Sequence, residues 1–509
     1  GNPLDLQMQL FTVMHMQRTG RPGDSIIEHV DRIASENPPL PQFDLLRSVG
    51  NLLAGNRDAA VAHLDQAVTK PITDPDHVEV VVDLYDSLER YEDSLTFLQR
   101  VSSLGDDVRF ARRVVSRLFE LGQYTQLIER VALIEEQGDR ADTTLLAYKA
   151  LARAALGEID DARRLAAGLE KRQGDFTARA WGSLLSAELD GGEFPDERRV
   201  VTAARDGLRN EPANPYFRLR LGDAYNRLGE PELALSEWSA AATAARAWRE
   251  PILRLTEAAI SLREPTVVLA TTTRLQQLAG NSPEALSVLA VGQAQLIAMG
   301  APGRMDDVLA GVDRILELDP FQPNALELKC SILGSIGRRD QARAVIEKRL
   351  ASSAVEPIAT HMALYRVSRQ IADDLAEPVL ERAWAQVGPH PSLARLLAGR
   401  RDAPDEAIAR FDALQAQAAG SKPVDWAIER VQLLEQVQRT GVAEMWGRLA
   451  DERPTDYRVQ RLALSSPAVR TNLTLSERVL ARMTDLIGAE GVTTRVTDEI
   501  RHASEHALG

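Results

Sequence analysis

A few residues in this 509-residue chain have types and spacings that chemistry can use. His502, Glu505 and His506 form an H-x-x-E-H pattern, which on a helix sets two imidazoles one turn apart beside a carboxylate. Such a face can share a zinc ion, with Glu505 as general base. That reaction requires a further ligand, usually a downstream carboxylate, and only three residues follow His506. The pattern therefore reads as a polar helix face, and no metal is expected. Cys330 is the single cysteine, which excludes disulfides within the chain and cysteine-based zinc sites. No histidine lies near it in sequence to activate the thiol. Gly334-Ser335-Ile336-Gly337 lacks the G-x-S-x-G spacing of a nucleophile elbow.

The acidic pairs Asp160-Asp161 and Asp373-Asp374 fall where turns between helices are expected, as capping and solvated groups and not as a catalytic dyad. Asn472-Leu473-Thr474 fits the glycosylation sequon, a triplet that chance supplies often. The sequence holds no phosphate-binding glycine loop and no dinucleotide fingerprint. No catalytic residue and no cofactor are assigned, and the chain is not read as an enzyme.

Composition points to the scaffold beneath these residues. Apolar residues make up 44%, charged residues 26% and aromatics only 5%. A diet rich in Ala and Leu suits helices packed closely on helices better than a β-sandwich. The formal charge of −14 repels phosphate backbones and anionic lipid, so nucleic acid is not expected as a partner. Cations are nearly all arginine, which reads as genome composition. No apolar run approaches the roughly 20 residues that span a bilayer. The chain opens Gly1-Asn2-Pro3 without a methionine, which leaves room for a removed leader or anchor.

The elements themselves are legible from Pro215 onward. Leu221-Gly222 is followed one turn later by Tyr225, Leu228-Gly229 closes a first helix, and Ala234, Trp238 and Ala241 mark the inner face of a second. Gly222 and Ala234 fall where two helices cross closely, and Gly229 supplies the positive φ that ends the first. Pro323, Gly337 and Ala342 repeat the offsets of Pro215, Gly229 and Ala234, as do Pro41, Gly55 and Ala60. Cys330 takes the small-residue position of Gly222, as a buried core side chain.

This pattern resembles the tetratricopeptide repeat. The resemblance implies an all-α solenoid superhelix of stacked antiparallel helix hairpins. Helix starts are expected at Pro3, Pro41, Pro75, Val108, Thr143, Ala178, Pro215, Pro251, Pro283, Pro323, Pro357, Pro391, Pro423 and Pro454. Intervals of about 31 to 40 residues separate them, near the 34 of the family, which gives about 14 units. Proline costs nothing at a first helical position, whose amide has no partner to lose. The array is expected over residues 1–490, with a long turn at Glu188–Pro195 and a weak seam near 171–196. Residues 491–509 are expected to form a capping helix, with Val492, Val496 and Ile500 on its apolar side.

In such arrays the resemblance places ligands along the concave face, lined by the first helix of each hairpin. Counting from each proline, the residues not committed to packing fall at offsets two, five, nine, twelve and thirteen. In the sharpest unit these are Tyr216, Leu219, Asp223, Asn226 and Arg227. The next are Asn324, Glu327, Ser331, Gly334 and Ser335, then Ile358, His361, Tyr365, Ser368 and Arg369. Tyrosine and arginine often dominate interface energy, so Tyr216, Arg227, Tyr365 and Arg369 lead the expected contacts. The Lys/Asn clamp with which some family members hold a C-terminal carboxylate is absent from these positions. The partner expected is a protein or peptide, and association with further copies of the chain is compatible with the fold. Two readings stay open at this level: a scaffold in a bacterial envelope or secretion assembly, and the recognition part of a larger regulatory or enzymatic protein.

Overall fold

The computed structural model describes residues 6–36, 40–72, 74–102, 108–136, 142–191, 197–228, 230–400, 403–418 and 423–487. Among the described residues every regular element is helical, from α1 (Leu6–Arg18) to α29 (Leu473–Ile487). The expected terminal cap, with His502, Glu505 and His506, lies outside the described residues. So do Pro3 and Gly229.

The chain divides into two compact units. Unit 1 comprises Gly1–Pro195, Ala203–Pro215 and Ala242–Arg249; unit 2 comprises Asp196–Thr202, Tyr216–Ala241 and Glu250–Gly509. In unit 1, α3 (Pro41–Leu53) packs on α4 (Arg57–Val68), and α9 (Thr143–Ala155) on α10 (Ile159–Glu170), which also meets α11 (Phe176–Gly191). In unit 2 the same arrangement joins α17 (Pro283–Ala298) to α18 (Met305–Leu318), and α19 (Pro323–Ser335) to α20 (Arg339–Leu350) and to α21 (Ile358–Ile371). These helices meet both their hairpin partner and the next hairpin, which is how a solenoid completes a core no hairpin could bury alone.

Small residues permit the close crossings. A Cβ on Gly222, in α13 (Pro215–Arg227), would stand 2.6 Å from Cδ1 of Trp238 and 3.2 Å from the Ala234 carbonyl oxygen. Cys330 does the equivalent duty, fully buried with Sγ 4.0 Å from the Ala342 carbonyl. The turn after a first helix needs a left-handed residue. Gly55, Gly122, Gly157 and Gly337 provide it with φ of 83°, 70°, 82° and 80°. Glu89, Arg263 and Gln438 adopt the same conformation without glycine, at 59°, 57° and 55°. For an L-residue that costs roughly 1–2 kcal/mol.

Most expected helix starts hold among the described residues; those at Ala178, Pro251, Pro357 and Pro454 do not, Pro357 standing one residue before α21 as its N-cap. Helix α11 begins at Phe176, not Ala178, because the Asp175 carboxylate accepts the Ala178 amide at 2.8 Å. Helix α27 (Tyr457–Ser465) begins three residues after Pro454, where Asp456 accepts from the Val459 amide. Pro251 lies inside the first turn of α15 (Arg249–Leu262). The long turn expected from Glu188 is instead helical as far as Gly191.

Arginines tie neighbouring hairpins at about one repeat's separation. Arg57 reaches Glu89 at 3.2 Å, Arg117 reaches Asp86 at 2.6 Å, and Arg338 reaches Asp306 at 3.0 Å. Arg366 holds Glu327 at 2.6 Å, and Arg410 holds Glu377 at 2.7 Å. The acidic pair of the Asp373–Leu375 turn is drawn in as well, with Asp373 on Arg400 at 2.9 Å and Asp374 on Arg343 at 2.7 Å. These guanidinium bonds hold both carboxyls below the ordinary aspartate value. The arginine excess therefore has a structural role that composition did not reveal.

Candidate functional site

Two adjacent recesses lie in unit 2 along the first helices α13, α15, α17 and α19. The first, about 370 Å³, is lined by Arg220, Asp223, Asn226 and Arg227 of α13, Pro231 and Trp238 of α14 (Pro231–Ala244), and Arg254, Glu257, Ala258, Ser261 and Leu262 of α15. The second, about 440 Å³, shares Glu257 and Ser261 and adds Ile260, Val288, Val291, Asn324, Glu327, Leu328 and Ser331.

The walls of the first recess are fixed by charge. Asp223 accepts from the Trp238 indole at 3.0 Å and from Arg220 at 3.0 Å, with Arg254 at 3.8 Å. Arg254 in turn binds Glu250 at 2.8 Å and Glu257 at 3.2 Å. Burial pushes the Glu257 carboxyl above its ordinary value, against the pull of Arg254; the charges of Glu284 and Glu250 push the same way as burial. The Arg220 guanidinium also stacks over the Tyr216 ring, 4.9 Å from its centre.

Of the residues expected on this face, Asp223, Asn226, Arg227, Asn324, Glu327 and Ser331 line the recesses. Asn226, Arg227, Asn324, Ser331 and Arg369 are exposed, and Glu327 is half-buried. Four others correct the expectation that these offsets stand clear of packing. Tyr216 and His361 are each 1% exposed, Asp223 and Tyr365 each 8%. Leu219 and Ser368 are buried too. The His361 ring bonds Gln386 at 3.0 Å through Nε2, and burial lowers its pKa, with Gln386 and Glu356 opposing. Arg369 bonds Asp373 at 3.0 Å and the Tyr365 hydroxyl at 3.4 Å. What sequence reasoning missed is α15, whose Glu257 and Ser261 line both recesses and whose Arg254 lines the first. Its leading proline sits two residues inside the helix, so counting from Pro251 misplaces the face.

Reactive groups elsewhere have structural work. Burial pushes the Cys330 thiol up to about 12. Asn472 accepts from the Leu475 amide at 3.2 Å, as a helix cap. In unit 1, Arg117 bonds Asp86 at 2.6 Å and lies 3.4 Å from Glu120, whose carboxyl burial raises. Beside it, Phe119 packs on Tyr148 and edge-on to Trp248, with ring centres 5.0 and 5.4 Å away. Among the described residues no group of three His, Cys, Asp or Glu could hold a metal, and no helix is long and apolar enough to cross a membrane. The recesses present paired charges, carboxamides, hydroxyls and aliphatic walls.

No family model and no curated protein matches the sequence. Solved structures do. A tetratricopeptide repeat protein from Parabacteroides merdae shares 14% identity over 54% of this chain and 97% of its own, with a TM-score of 0.35. Yeast Tom70 shares 11% over 92% and 96%, at 0.34. A TPR protein of Thermus thermophilus shares 17% over 44% and 99%, at 0.27. The hairpin geometry above makes the chain a TPR-like, all-α repeat array.

Proposed function

We propose that this chain is a non-catalytic scaffold that holds a protein or peptide partner along the first-helix face of unit 2. The observation that carries the reading is convergence. Asp223, Asn226, Arg227, Asn324 and Glu327, spread over more than a hundred residues of sequence, border two adjacent recesses that share Glu257 and Ser261. Successive helices pack about 8–10 Å apart, so each repeat spans about three residues of an extended ligand. Exposed carboxamides such as Asn226 and Asn324 offer both a donor and an acceptor to a peptide backbone. Arginine is among the residues that anchor interfaces, which keeps Arg227 and Arg369 as the leading contacts.

The test is affinity capture from the native host with the wild-type chain and with a double variant, Arg227→Glu and Arg369→Glu. Both side chains are exposed, so helical content measured by circular dichroism should be unchanged. The variant should lose the captured partner. Equal capture by both forms rules the groove out as the binding face.

A further inference from the structure

We infer that the recess between α15, α17 and α19 takes a lysine or arginine side chain of the protein partner. The aliphatic stem would lie against Ile260, Val288, Val291 and Leu328, and the cationic head would meet Glu257 and Glu327. The inference rests on the groove reading given above and adds the chemistry of the occupant.

Three observations carry it. The residues lining this recess include two carboxylates, those of Glu257 and Glu327, and no cation. Arg254 engages Glu257 through Oε2, and Arg366 engages both oxygens of Glu327; a carboxylate accepts up to about four hydrogen bonds, so each retains accepting capacity for a further cation. Glu257 is also crowded by the charges of Glu250 and Glu284, which a bound cation would relieve. An aspartate or glutamate of the partner would meet like charge. A purely apolar side chain would strip water from the carboxylates and return nothing. A long side chain with an apolar stem and a charged tip satisfies both parts of the recess at once. The net charge of −14 steers basic partners toward the chain from a distance.

The experiment selects random linear peptides displayed on phage against the full chain, then measures each selected peptide by titration calorimetry. Peptides displaced by the groove double variant should share a lysine or arginine. Replacing that residue with norleucine, which keeps the stem and removes the charge, should weaken binding at least about tenfold. Glu257→Gln with Glu327→Gln should weaken the parent peptide similarly, and the norleucine replacement should then have no further effect. Groove-dependent peptides without a basic residue, or a norleucine replacement that costs nothing, would overturn this inference and leave the scaffold reading standing. No selected peptide, or only peptides indifferent to the groove variant, would overturn both. The norleucine arm needs no protein variant, so a folding defect cannot blur the outcome.

Discussion

Gly222→Ala is a methyl-sized probe of the closest crossing in α13. Its Cβ would sit 2.6 Å from Trp238 Cδ1 and 2.7 Å from Nε1. Carbon contacts are optimal near 3.5–4.0 Å, so the indole must retreat by about 1 Å. Retreat stretches the 3.0 Å bond from the indole to Asp223. Overpacking costs about 1–3 kcal/mol, and a hydrogen bond to a charged group is worth about 1.5–3 kcal/mol. Alanine returns about 1 kcal/mol of helix propensity. The net expectation is a loss of about 1.5–5 kcal/mol. Urea titration followed by tryptophan fluorescence reads the change, and hydrogen exchange in α13 and α14 localises it, since an array unravels by neighbouring units. Gly311→Ala in α18 is the control: nothing lies within 4 Å of its Cβ, so stability should rise by up to about 1 kcal/mol. A neutral or stabilising Gly222→Ala would refute the crossing geometry.

Arg263→Gly should raise stability by up to about 1 kcal/mol in thermal or urea unfolding, because glycine relieves the φ of 57° after α15. Cys330 should resist a thiol reagent at neutral pH in the native chain and react fully in denaturant, given its complete burial and raised pKa. His361 has a folded pKa below its ordinary 6.5, so its neutral form favours the fold. That contribution is present above about pH 6.5 and is lost as pH falls from there toward the folded value. Stability measured between pH 7 and 5 should therefore decline, and less steeply in His361→Gln.

The sequence made visible what depends on local backbone chemistry. Proline at Pro41, Pro215, Pro323 and Pro391 marks first helical residues, and Gly55 and Gly337 mark left-handed turns. Two starts that depart from expectation, those near Ala178 and Pro454, are set by the aspartate caps Asp175 and Asp456, where short-range capping overrides the residue counted from sequence. The groove was legible in part. Asn226, Arg227 and Asn324 are exposed as counted, yet Tyr216 and His361 at matching offsets turn into the packing. An offset fixes a direction on one helix, whereas burial depends on the neighbour's side chains, which a single sequence does not register. The arginine ties stayed hidden for the same reason: each bond joins residues about one repeat apart, and pattern alone does not choose its partner.

Those ties have a polarity that constrains how the chain can evolve. Arg57 stretches forward to Glu89 and Arg343 forward to Asp374, whereas Arg117 turns back to Asp86 and Arg366 back to Glu327. Among these junctions some are tied backward, one forward, and the junction between the hairpins of α19 and α21 carries ties in both directions. Exchanging two modules would set cation against cation, or strand a half-buried partner such as Glu327. The order of the units is thus written into their edges, and the array behaves as a sentence with fixed word order more than as a string of interchangeable beads.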